Sequence, residues 1–127
     1  MIVPYSHKSH YEMVKSWLAY RKMAPPEQRL FSTTGFVVDD TAIGFLMCTN
    51  SRQFYIDHIV ANPKRSKSDR DKALRFLFKA LEETAREAGA LLVVVLANLP
   101  TMTRRISEMG YTKGGEYSLF FKQLGMK

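Results

Sequence analysis

The chain has 127 residues, 46% of them hydrophobic and 24% charged, with nineteen Lys and Arg against twelve Asp and Glu and a formal net charge of +7. Such a length supports one domain with a core of its own, spanning 1–127, and no segment approaches the ~18 uninterrupted apolar residues of a membrane span. A basic balance favours anionic partners: a phosphorylated cofactor, nucleic acid or an acidic protein. Nucleic acid rests on charge alone, because no basic cluster is interleaved with the exposed aromatics that single-strand stacking needs. The start Met1-Ile2-Val3-Pro4 lacks the basic-then-apolar plan of a signal peptide, and the lone Cys48 excludes an intramolecular disulfide. Both point to the cytoplasm, with Cys48 a small core residue inside an apolar strand.

Met1 to Tyr5 reads as a short strand. Ser9 with Glu12 three residues on makes a capping box, and Tyr11, Met13, Val14, Trp17 and Leu18 follow at helical spacing until Pro25-Pro26 stops the helix. A loop or single helical turn fills the stretch from Ala24 to Phe31. Three strands come next, Gly35 to Val38, Thr41 to Thr49 and Phe54 to Ala61, with turns at Asp39-Asp40 and Asn50-Ser51-Arg52 that make an antiparallel meander. A long amphipathic helix starts near Ser68, buries Leu74, Leu77, Phe78, Leu81, Ala85 and Ala88, and stops at Gly89. The unbroken apolar run Leu91 to Leu96 is the mark of a strand covered on both faces. A short helix from Thr101 to Met109 ends at Gly110, and Gly114-Gly115 turns into a last strand, Glu116 to Phe121.

The loop Asn62 to Leu74 joins a strand to a helix and carries Lys64, Arg65, Lys67, Arg70 and Lys72. A helix start offers free N–H groups and partial positive charge to an anion beyond the strand end. The other reading of the same residues is a capped, solvated helix start, with Ser68 as N-cap and Asp71 reaching back.

The order of elements, together with Ile56-Asp57-His58-Ile59-Val60-Ala61-Asn62-Pro63, Ala73-Leu74, Asn98 and Glu108-Met109-Gly110-Tyr111, resembles the GNAT superfamily of N-acetyltransferases. It looks closest to the short GNAT-like proteins of tailed bacteriophages, which places it in the host cytoplasm. The resemblance covers nearly the whole chain. It implies an α/β fold, the acyl-CoA N-acyltransferase fold, in which helices flank both faces of a mixed central sheet. It also implies acetyl-CoA as co-substrate and an amine acceptor, small molecule or protein. In the family the strand ending at Ala61 pairs with the pantetheine arm, so Val60, Ala61 and Asn62 are cofactor candidates. The pyrophosphate signature falls on Ser66 to Asp71, with Lys67, Ser68, Asp69, Arg70 and Lys72 as candidates and Asn98 on the cofactor arm. Both signature glycines are aspartates, Asp69 and Asp71, which add bulk and negative charge where backbone and phosphate approach closely. Basic side chains must then take over from backbone.

Acetyl transfer needs a neutral amine, and Asp57 and His58 are the candidate bases. Successive strand residues face opposite sides, so one of them at most enters the cleft. Asp57 is preferred, since a carboxylate in an apolar strand needs a purpose or a partner. The position where many family members carry an acidic tyrosine is Ile106 here. Tyr20, Arg29 and Phe31, beside the Pro25-Pro26 segment, are candidates for the acceptor side. His7 and His10 lack a third ligand, so no metal is expected. The alternative function is a non-catalytic GNAT-like phage module that binds a host factor or acts within the particle. The edges of a small mixed sheet allow a homodimer.

Overall fold

Turn chemistry and apolar patterning assemble the strands into one mixed sheet in chain order. The structure, a computed structural model, describes residues 1–97 and 100–125. The strands β1 (Ile2–Pro4), β2 (Thr34–Val38), β3 (Ala42–Met47) and β4 (Gln53–Ala61) pair antiparallel, each with the next. The last strand, β5 (Leu92–Val95), lies parallel to β4 at the sheet edge. Between β2 and β3, Asp39 and Asp40 both take left-handed φ, 50° and 49°. Aspartate tolerates that conformation, and two such residues in a row give a turn that matches strand twist.

The two long helices take opposite faces. On one face α1 (His7–Tyr20) sets Val14 and Trp17 against Phe31, Val37, Ile43, Phe45 and Val60. On the other, α2 (Lys67–Glu87) packs mainly over β2 and β3 and buries Leu74, Leu77, Phe78, Leu81 and Ala85. A Cβ at Gly44 of β3 would stand 2.3 Å from Ile59 Cδ1 and 2.9 Å from Leu77 Cδ2. The missing side chain there is what lets α2 lie close to β3.

Several boundaries differ from the sequence expectation, each for a local reason. Ser6, not Ser9, caps α1; the Ser6 N–H donates to His10 Nδ1 at 3.0 Å, and no capping box forms. Ser66, not Ser68, caps α2, its Oγ accepting from the Asp69 N–H at 3.0 Å. Ala88 is the exposed C-cap of α2, ahead of Gly89 at φ 93°. Cys48 is exposed just beyond β3 and is no core residue. The strand β5 is not covered on both faces: Leu92 is exposed and Val93 to Val95 are half-buried, as an edge position dictates.

The chain divides into two compact units, Met1–Ala97 and Asn98–Lys127. The second contains α3 (Pro100–Glu108), which opens on a proline suited to a first helical turn and stops ahead of Gly110 at φ 95°. Residues 111–125 carry no strand, so the expected strand from Glu116 to Phe121 is not formed. A strand must hand its backbone N–H and C=O groups to a neighbouring ladder. None of the described residues supplies one to this segment, and Tyr117, Leu119, Phe120 and Phe121 stand exposed.

Candidate active site

The pairing of β4 with β3 is regular at its two ends and broken in the middle. Ala42 lies opposite Ala61 and Ile43 opposite Val60, whereas Phe45 lies opposite Asp57. One extra residue therefore sits in β4 across from Gly44, and His58 takes a left-handed φ of 51°. This is a β-bulge, and it cancels the alternation of side chains. Asp57, opposite Phe45, points to the face that carries α1. His58 points there too: its ring meets Phe31 edge-on at 5.0 Å and lies 6.2 Å from Phe45. The expectation that only one of the two enters the cleft is overturned, because it assumed an unbroken strand.

The two side chains differ in access. Asp57 keeps 23% of its side-chain surface and His58 33%, with Asp57 Oδ2 3.6 Å from His58 Nδ1. Asp57 Oδ1 is buried, and none of the described residues donates a hydrogen bond to it. Burial raises the Asp57 carboxyl above the ordinary carboxylate range, while His58 and a backbone hydrogen bond pull it back. Behind the pair stands an aromatic wall. Phe31 stacks on Phe45 at 4.8 Å, and Tyr5 meets Phe45 edge-on at 4.7 Å. Burial, with the neighbouring Tyr11 second, pushes the Tyr5 hydroxyl up to about 12. The Tyr11 hydroxyl donates to the Pro26 carbonyl at 2.7 Å and ties the proline segment to α1. Of the acceptor-side candidates, Phe31 thus joins His58. Tyr20 is exposed at the end of α1, and Arg29 is held by Glu27 at 2.9 Å.

Beside the bulge, β4 has an open edge. Its pairing with β5 covers Gln53 to Ile56, and among the described residues no strand lies beside Asp57 to Ala61 on that side. The Asn62 N–H donates to the Thr41 carbonyl at 2.7 Å, so Asn62 faces β3. By alternation Val60 also faces β3, and Ala61 turns its N–H and C=O outward. Of the three strand-end candidates, only Ala61 offers backbone to the open edge, and its carbonyl accepts from Arg21 Nη2 at 3.4 Å. The Asn62 side chain is engaged as well: Nδ2 donates to the Asp40 carbonyl at 3.1 Å, and Oδ1 accepts from the Lys64 N–H at 3.0 Å.

The basic loop is dispersed rather than gathered. Arg70 Nη1 donates to the carbonyls of Pro63 at 3.4 Å and Arg65 at 3.1 Å, bracing the loop from within. Asp71 pairs forward with Arg75 at 2.9 Å. Asp69 and Lys72, with Arg65 and Phe76, line a cleft of about 450 Å³ against Val38, Asp39 and Thr41. That cleft lies at the β2–β3 turn, on the far side of β3 from the open edge of β4. Lys67 and Ser68 remain, in the first turn ahead of the Arg70 N–H to Ser66 carbonyl bond, where helix geometry leaves N–H groups available. Asn98 lies outside the described residues. Among the described residues no group of three or more His, Cys, Asp or Glu is placed to hold a metal ion.

No family model and no curated protein matches the sequence. Solved structures match the fold over nearly its whole length. An acetyltransferase of Trypanosoma brucei superposes with a TM-score of 0.68 at 12% identity, covering 97% of this chain and 99% of that one. An aminoglycoside N-acetyltransferase crystallised with CoA gives 0.65 at 13% identity, over 98% and 100%. An aminoglycoside acetyltransferase from an uncultured soil metagenomic sample, in complex with sisomicin, gives 0.66 at 13%, over 98% and 96%. The fold is that of the GNAT acetyltransferases. In this GNAT fold the open edge of β4 adjoins the bulge, so a ligand laid along Asp57 to Ala61 ends beside His58.

Proposed function

We propose that the chain is an N-acetyltransferase that moves an acetyl group from acetyl-CoA to a primary amine. The observation that carries this reading is the bulge, which sets Asp57 and His58 on one face next to an open strand edge. The residues present fit the co-substrate: an outward-facing Ala61 backbone for an extended arm, and Lys67 with Ser68 at the α2 start for phosphate. His58 takes the amine proton on Nε2, the nitrogen away from Asp57. Asp57 orients the ring through Nδ1 and stabilises the imidazolium. The amine nitrogen then attacks the thioester carbonyl; the C–N bond forms, the C–S bond breaks, and the thiolate leaves as the thiol after taking up a proton.

The acceptor is a small amine or a protein amine. The neighbouring aminoglycoside acetyltransferase crystallised with sisomicin supports the first. The alternative, a non-catalytic GNAT-like module of phage type, is favoured by one finding: Arg70 and Asp71 are engaged inside the loop rather than offered to a ligand. Calorimetric titration with acetyl-CoA decides between them. Micromolar binding together with thiol release in the presence of an amine panel supports the enzyme. Absence of binding at millimolar acetyl-CoA sinks it.

A further inference from the structure

We infer that Arg21, from the end of α1, is a phosphate-binding residue for the co-substrate and substitutes for the glycine-lined backbone grip that the loop lacks. This rests on the acetyl-CoA reading above and adds a residue from a different element. Three observations carry it.

The first is vacancy of function in the loop itself. Arg70 braces the Pro63 and Arg65 carbonyls, Asp71 holds Arg75, and Asp69 and Lys72 line the cleft at the β2–β3 turn. Of the residues from Lys67 to Lys72, that leaves Lys67 and Ser68, in the first turn of α2. Two N–H groups and one ammonium are a thin grip for a doubly charged pyrophosphate.

The second is the position of Arg21. Its guanidinium reaches the carbonyl of Ala61 at 3.4 Å, on the outward side of β4 and one residue before the loop begins. A bond that long and to a neutral acceptor is weak. Among the described residues Arg21 has no carboxylate partner, whereas Arg29, Arg75 and Arg86 each have one. An arginine fork that holds only one long bond keeps its remaining donors for an anion, and bidentate phosphate is the partner it suits best.

The third is how the chain fixes that position. Arg21 is the C-cap of α1, and the next residue, Lys22, takes a left-handed φ of 57°. The Lys22 N–H donates to the Ala19 carbonyl at 3.0 Å and the Met23 N–H to the Leu18 carbonyl at 2.9 Å. This is a helix stop that ordinarily uses glycine, built here with lysine at some cost in strain. It turns the chain sharply at Arg21 and leaves two adjacent cations, Arg21 and Lys22, at the end of α1.

The test compares two probes on the intact chain: CoA, which carries the phosphates, and S-acetylpantetheine, which has the same arm without them. Arg21→Ala is expected to weaken CoA about tenfold, with Arg21→Lys recovering part of the loss and S-acetylpantetheine unchanged. The wild-type affinity for CoA should fall with added salt more steeply than that of Arg21→Ala. The melting temperature without ligand should stay that of wild type, since Arg21 is exposed. CoA binding that Arg21→Ala leaves intact, or an equal loss for both probes, overturns the assignment while leaving the enzyme reading in place. A wild-type chain that binds no CoA at millimolar concentration overturns both.

Discussion

Two segments of the chain carry most of its chemistry, and the fold treats them in opposite ways. At the bulge, Asp57 and His58 are adjacent in sequence and an ideal strand would part them; the extra residue in β4 brings them to one face. At the α2 start, Lys64 to Lys72 form a dense basic run, and the fold disperses it. Arg70 braces the loop, Arg65, Asp69 and Lys72 line a separate cleft, and Lys67 and Ser68 sit in the first turn of α2. Neighbours in sequence become a site only when the backbone path turns them together. Composition is a poor guide to which segment that will be.

The contrast can be broken most directly at the bulge. His58→Ala should lower acetyl-CoA turnover by about 100-fold or more while CoA affinity holds. A loss under about threefold would remove the pair from catalysis, as the base contribution would be too small to measure. Gly44 tests the packing that accommodates the bulge from the opposite strand. Gly44→Ala places a Cβ 2.3 Å from Ile59 Cδ1 and 2.9 Å from Leu77 Cδ2, and urea denaturation should show about 1–3 kcal/mol of lost stability. An unchanged midpoint would mean that Ile59 and Leu77 yield freely.

At the loop the expected effects are smaller. Ser66→Ala removes the acceptor for the Asp69 N–H and should cost about 1 kcal/mol, read from the same denaturation curves. The equivalent change at Ser68, inside the helix, should move the midpoint far less. The smallest effect is a pH dependence at Asp57. Its carboxyl is raised in the folded state, chiefly by burial, so the native chain holds that proton more tightly than the unfolded chain does. Stability is lost as pH rises from the ordinary carboxylate value through the native one, and is constant above it. Asp57→Asn escapes that loss, so its melting temperature relative to wild type should climb as pH rises through and above the ordinary carboxylate range. A difference independent of pH would show that Asp57 is not desolvated.

Much of this fold was legible in the sequence because its signals are local. Trp17 with Val14, or Leu74 with Leu77, Phe78 and Leu81, marks a helix face by spacing alone. Asp39-Asp40 and Gly89 mark a turn and a stop through the φ angles they accept. The ends were less legible: Ser6 and Ser9, or Ser66 and Ser68, are equal candidates until the backbone chooses which one caps. Glu116 to Phe121 shows the limit from the other side, since apolar alternation describes a strand but does not supply its partner.

The sequence by itself determined the order of elements, the apolar faces of α1 and α2, and the positive charge along the loop, because each depends on residues within one or two turns of each other. Only the tertiary structure decided that Asp57 and His58 share a face, that Ala61 rather than Val60 or Asn62 fronts the open edge, and that Arg21 reaches it from forty residues away. Those facts depend on the register between strands and on where a helix ends over the sheet, and neither is encoded in any single segment.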